Sequence, residues 1–202
     1  TEAACEVIEA ETPADLVALS GNLCSDKKPA AINAVEGRGR TVSADVLIPH
    51  EQVEQRLDTT TAAIVEANTR KNLVGSAKAG ALGFNAHAAN VVAAAFLALG
   101  QDAAQVVEGS NTITTVDARE EGLYASVTLA SLEVGTVGGG TSLPTQSEAL
   151  DVLGYAGGGD PAGSNADALA EIIAVGVLAG ELSLLAALSS RHLSSAHAEL
   201  GR

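Results

Sequence analysis

Residues Asp167–Ser190, DALAEIIAVGVLAGELSLLAALSS, read as one long, mostly apolar helix. Apolar side chains fall on most of its faces, the pattern of a helix surrounded by protein rather than laid on a surface. The rest of the chain supplies what would surround it. Thr41–Ile48 alternates and stops at Pro49, and Thr112–Asp117 and Leu123–Leu132 follow the same strand grammar. Helices are predicted at Thr1–Ala10, from Glu51 with a break near Thr59–Thr61, at Asn85–Leu99 and at Ser147–Leu153. Leu16–Leu19 reads as a short buried strand, Glu36–Arg40 as a turn of basic character, and Asn68–Asn72, which holds Lys71, as turn-like. Gly135–Thr141 and Gly154–Gly163 read as loops. No period of repeat length recurs. The expected class is α+β around a long central helix.

Composition narrows the function. The 202 residues are 47% hydrophobic but contain two Phe, two Tyr and no Trp, so the core must be built from Ala, Val, Leu and Ile. The net charge of −14 opposes nucleic-acid binding, which needs a basic surface. So one-sided an acidic chain suits concentrated salt, where the Debye length falls to about 3 Å and surface repulsion is screened. A halophilic archaeal source is the natural expectation. No signal peptide is evident and no apolar run is read as long enough to span a membrane, so a cytoplasmic location away from membranes is expected. Cys5 and Cys24 are too few for a disulfide framework, and Cys24 is read as packing. No His/Cys/Asp cluster has metal-ligand spacing, so no metal is expected. Met is absent, and Thr1 is read as the start of a fragment or of a processed chain.

The chemistry concentrates in Ser20–Asn33, SGNLCSDKKPAAIN. Ser20-Gly21-Asn22 suits a tight turn, and Pro29 keeps Lys28 extended and restarts the chain in a fixed direction. The chain has only four lysines, at 27, 28, 71 and 78, against 25 carboxylates. Adjacent lysines beside Asp26 therefore suggest anion binding, with a solvated loop holding one weak ion pair as the alternative.

Asp26–Asn33 resembles the lysine loop of HMG-CoA reductases, in the form found in the biosynthetic, NADPH-using class rather than the degradative, NADH-using one. Lys71–Ala77, Asn85–Asn90, Gly100–Gln105, Glu133–Thr141 and Gly180–Leu184 resemble the same family in the same order. Together they cover nearly the whole chain. The resemblance implies a four-electron reduction of HMG-CoA to mevalonate and CoA by two NADPH, in isoprenoid synthesis, by a homodimer or higher homo-oligomer. It implies that residues 1–19 close a small ferredoxin-like cofactor domain, residues 20–28 form the connecting lysine loop, and residues 29–202 belong to a large HMG-CoA-binding catalytic domain.

It also implies roles. Lys27 would stabilise the oxyanion formed when hydride reaches the thioester carbonyl. Asp102 would keep Lys27 charged and oriented, although by itself it reads as a helix cap. His197 would protonate the departing CoA thiolate, with His192 structural and His50 on the surface. Ser20, Asp26, Lys28, Lys71 and Asn90 would hold the hydroxymethylglutaryl group. Gly138, Gly139 and Gly140 would approach the dinucleotide, or simply form a bend after a strand. His87 is either a site-lining residue or a satisfied core histidine. Leu184, Ala187 and Leu188 are either an apolar wall near the substrate or core packing. The family's catalytic glutamate, its Asp-Ala-Met-Gly-Met-Asn dinucleotide motif and a regulatory serine of its mammalian members would lie outside the chain. A fragment without that glutamate is expected to be inactive, and a module that binds a CoA ester without reducing it is the alternative function.

Overall fold

The computed structural model describes residues 1–190. Its elements in chain order are α1 (Glu2–Glu11), α2 (Ala31–Val35), β1 (Arg40–Pro49), α3 (His50–Leu57), α4 (Thr61–Ala67), a π-helix (Asn68–Gly75), α5 (Ser76–Ala79) and α6 (Ala88–Ala98). A 3₁₀ turn (Ala103–Gln105), α7 (Val106–Gly109), β2 (Thr112–Ala118), β3 (Gly122–Leu132), a second 3₁₀ turn (Gly139–Ser142), α8 (Pro144–Leu153) and α9 (Ser164–Ser189) complete it. The mixture is α+β, as the sequence implies.

Among the described residues the strands make one antiparallel sheet in the order β1-β3-β2. Strict alternation sorts its faces. Ala125, Val127 and Leu129 of β3 point into the core, while Ser43 bonds Thr128 and Thr115 bonds Ser126 across the exposed face. Helix α9 packs on β1 and β3 and against α4 and α6. It buries Leu169, Ile173, Ala174, Val177, Leu182 and Leu185. Small Ala and Gly positions let helices come close. A Cβ on Gly180 would stand 2.9 Å from Val91 Cγ2.

Glu181 is the one charged side chain of α9 that is fully buried. Its Oε2 accepts hydrogen bonds from Ala86 N at 2.6 Å and Thr114 Oγ1 at 2.7 Å, and its Oε1 accepts from His87 N at 2.7 Å. A carboxylate at the start of α6 satisfies free helix N–H groups and meets the positive end of the helix dipole. Asn85 Oδ1 caps the same end by accepting from Ala88 N. Glu181 thereby fastens α9 to α6 and β2 at once.

Three local expectations need correction. Leu16–Leu19 forms no strand, and Val17 stands almost fully exposed. No partner strand lies beside it among the described residues, and an unpaired apolar run has no ladder to join. Lys71 lies in a π-helix rather than a turn. Buried Asn72 donates to Asn68, which donates to the Thr114 carbonyl, so side-chain amides hold the widened turn to β2. Cys24 is exposed, not packed. Helix α9 is also long and apolar enough, by length and composition, to cross a membrane, which corrects the expectation that no apolar run reaches that length. Its contacts with the sheet and the triple hydrogen bonding of Glu181 are those of a core helix.

Replacing Glu181 by Ala leaves the half-buried Ala86 and His87 amides and the buried Thr114 hydroxyl without this partner. The expected loss is about 3 kcal/mol or more of unfolding free energy, read as a lower urea midpoint, whereas Ser183→Ala on the exposed side of the same helix leaves the midpoint nearly unchanged.

Candidate functional site

The lysine loop is held from behind by Asn33. This buried side chain accepts from Ser25 Oγ at 2.6 Å and donates to the Ser25 and Lys28 carbonyls at 3.0 and 3.2 Å. Its own carbonyl accepts from Ser131 Oγ of β3, which ties the loop to the sheet. Lys28 N donates to Glu108 Oε1 at 3.3 Å, and Lys28 Nζ reaches the Asp26 carbonyl at 3.1 Å. With both flanks fixed, Lys27 takes a left-handed backbone conformation, φ 56°. Such angles are unfavourable for a residue with a side chain and persist where the surroundings enforce them.

That conformation delivers Lys27 Nζ to Asp102 Oδ2 at 2.7 Å. The hydrogen bond and the charge of Asp102 raise the Lys27 pKa above its ordinary value. The reciprocal bond from Lys27, helped by the Ala104 N–H, holds the Asp102 carboxyl below its ordinary value. A raised lysine and a depressed aspartate both keep their charges across the neutral range. The pair is lost only as pH falls through the depressed Asp102 pKa or rises through the raised Lys27 pKa. Asp102 also accepts from Ala104 N at 3.0 Å, so the helix-cap reading and the lysine-partner reading both hold.

Asp102 belongs to a turn clamped to the glycine-rich loop. Gln101 donates to the Gly135 carbonyl at 2.9 Å and accepts from Gly135 N at 2.8 Å. Gly100, at φ 68°, lies so close to Gly140 that a Cβ would stand 2.4 Å from the Gly140 oxygen. Between these loops opens a cavity of 780 Å³ whose wall includes Gly100, Asp102, Glu133, Gly138, Gly139 and Gly140. Gly138 and Gly139 have left-handed backbones and open space where a Cβ would stand. Bare amides facing a cavity suit the close approach of a phosphate-bearing group.

Asp26 stands directly before Lys27 in the loop. Gln105 Nε2 donates to it at 3.2 Å and Arg38 Nε lies 3.3 Å away. The Gln105 hydrogen bond is the largest cause of its lowered pKa. Arg38 also lies 2.8 Å from Glu133 Oε1. Gly37 and Gly39 flank Arg38 with φ 76° and 75°, and those left-handed turns place the guanidinium between the two carboxylates.

Not all expected residues gather here. Lys71 Nζ donates to its neighbour Asn72 at 3.2 Å, and Asn90 lies 3.4 Å from His87 Nδ1. Those hydrogen bonds do not join either residue to the lysine loop, and Ser20 stands exposed at its start. His87 Nε2 lies 2.8 Å from the Gly180 carbonyl, which makes Nε2 the donor and leaves Nδ1 to accept from Asn90. That is a satisfied histidine. His50 is exposed, as expected, and bonds Thr61 Oγ1. Leu184, Ala187 and Leu188 are half-buried on the last turns of α9. His192 and His197 lie outside the described residues. Sequence reasoning overlooked Asn33, Arg38, Gln101, Gln105, Glu108 and Glu133. Several stand inside the quoted motifs, yet nothing in their spacing shows that they meet.

Chemically, a cation held by a carboxylate beside a glycine-walled cavity can stabilise negative charge on a bound oxygen. The family profile described as hydroxymethylglutaryl-coenzyme A reductase matches residues 1–202. The chain is 81% identical over its full length to the 3-hydroxy-3-methylglutaryl-coenzyme A reductase of Halobacterium salinarum and 78% identical to that of Haloferax volcanii. It is 58% identical to the reductase of Pyrococcus abyssi. The match spans all of this chain and 50% of each of these relatives. The chain belongs to the HMG-CoA reductase family.

Gly100→Ala should separate the two clamped loops. Steric conflict with the Gly140 carbonyl and the left-handed backbone together predict a loss of about 1–3 kcal/mol, checked by thermal denaturation, with Gly21→Ala, whose Cβ meets nothing within 4 Å, as the control.

Proposed function

We propose that the polypeptide to which this chain belongs reduces HMG-CoA to mevalonate and CoA with two NADPH, feeding isoprenoid synthesis in the cytoplasm of a halophilic archaeon. The observation that carries this reading is the Lys27–Asp102 pair beside the glycine-walled cavity, in a chain of this family. Lys27 donates to the carbonyl oxygen as negative charge develops there, and Asp102 holds the ammonium charged and aimed. NADPH supplies the hydride, and Gly138, Gly139 and Gly140 offer backbone amides to its phosphates. His197 protonates the departing thiolate. Lys28, Asp26, Ser20, Lys71 and Asn90 hold the hydroxymethylglutaryl group, each lysine as a charged donor to its carboxylate.

The family reading also implies a homodimer or higher homo-oligomer, in which a second copy of the chain completes the site. Residues 1–19 then close a small ferredoxin-like cofactor domain, 20–28 are the connecting loop, and 29–202 lie in the large catalytic domain. The chain spans about half the length of its relatives. The alternative reading is binding of the CoA ester without reduction.

The test is HMG-CoA-dependent loss of NADPH absorbance in concentrated potassium chloride. The longer polypeptide should be active, its Lys27→Ala variant reduced at least about 10²-fold in kcat, and the 202-residue chain inactive. A folded, dimeric polypeptide without activity overturns the reductase reading and leaves CoA-ester binding.

A further inference from the structure

Behind the lysine loop, three carboxylates converge from distant parts of the chain. Asp26, Glu108 of α7 and Glu133 after β3 each bring an oxygen within 4.8 Å of the others. Glu108 is buried, at 1% exposure, and its Oε2 has no hydrogen-bond partner. Glu133 is nearly nine-tenths buried as a side chain. Its Oε1 meets Arg38 Nε through charge at 2.8 Å but receives no hydrogen bond. One guanidinium thus serves Asp26 and Glu133 beside a third acid, and Glu108 and Glu133 keep buried oxygens without a donor. A proton on the Glu133 carboxyl would supply a donor that this cluster lacks.

We propose that Glu133 carries a proton within the cluster it forms with Asp26 and Glu108, and that this proton makes Glu133 and Glu108 positioning residues for the lysine loop. Glu108 holds Lys28 N, and Asp26 is the residue directly before Lys27. With the proton present the cluster closes around Arg38. Its loss to solvent adds a negative charge to the group and drives the carboxylates apart, which loosens the loop that aims Lys27.

The groups facing Glu133 account for the direction. Burial and the charge of Glu108 push its carboxyl up to about 7, Arg38 opposes them, and Asp26 adds to the rise. Lys27 and Lys28 stand beyond Asp26, Cys24 beside Arg38, and Asp102 on the shared cavity wall. A carboxyl raised in the folded state binds more protons there than when unfolded. Stability from this group is therefore present in acid and falls as pH rises toward 7. The loop's effect on catalysis rests on the reductase reading, whereas the proton does not.

Infrared difference spectroscopy of the longer polypeptide between about pH 6 and about pH 8 reads the proton directly. The expected result is a carboxylic-acid C=O band that disappears with a midpoint near 7, is absent from Glu133→Gln, and titrates at lower pH in Glu108→Gln. A band that persists in Glu133→Gln, or no band at the lower pH, overturns the proposal. If Glu133→Gln fails to fold, the Glu108→Gln shift decides. NADPH oxidation by the wild type should fall with the same midpoint, while Glu133→Gln, which keeps a donor at all pH values, should hold its rate there. A titrating band with no matching limb in an active enzyme overturns the positioning role. A titrating band in an inactive enzyme overturns the reductase reading and leaves the proton in place.

Discussion

The 2.7 Å contact between Lys27 and Asp102 is the interaction to which the described structure is fitted. Both side chains are about half exposed, so attraction alone, in water, would contribute little. What makes the contact specific is the backbone beneath it. Lys27 is locked in a left-handed conformation by Asn33, Glu108 and Pro29, and Asp102 is fixed by its own cap and by the clamp of Gln101 and Gly100 on the glycine-rich loop. Two short loops far apart in sequence are each held at several points. The ammonium and carboxylate therefore meet with little freedom left to lose.

The core serves the same end through Glu181. A buried carboxylate in the middle of an apolar helix costs several kcal/mol of desolvation unless its oxygens are satisfied. Here three donors, two from the segment just before α6 and one from β2, satisfy them. Apolar packing of Ala, Val and Leu brings α9 onto the sheet, but such small, similar side chains define register weakly. The Glu181 contacts fix it, and with it the start of α6 that carries His87 and Asn90.

Local pattern made the framework legible. Thr41–Ile48 and Leu123–Leu132 alternate because one face of the sheet is buried, and they pair as β1 and β3. Asp167–Ser190 announces α9 by its length and apolar faces. Leu16–Leu19 misled because β-propensity describes a fit to a neighbour that the described residues do not provide. The widened turn at Lys71 was hidden because it depends on Asn68 meeting Thr114, 46 residues away. In the site, the family resemblance pointed to Lys27 and Asp102, and the structure pairs them. Arg38, Glu108 and Glu133 were silent for another reason. Their significance lies in a meeting of residues far apart in sequence, each ordinary alone.

The aimed, fully charged Lys27 is the centre of this account, and the scarcity of lysine makes it measurable. Nitrogen-15 labelling gives four side-chain ammonium signals, from residues 27, 28, 71 and 78. Titrating them in the wild type and in Asp102→Asn tests the pair directly. The account predicts one ammonium with a pKa above the ordinary lysine value of 10.5, which falls back when Asp102 loses its charge. Four ammonium groups titrating alike, unmoved by Asp102→Asn, would contradict it.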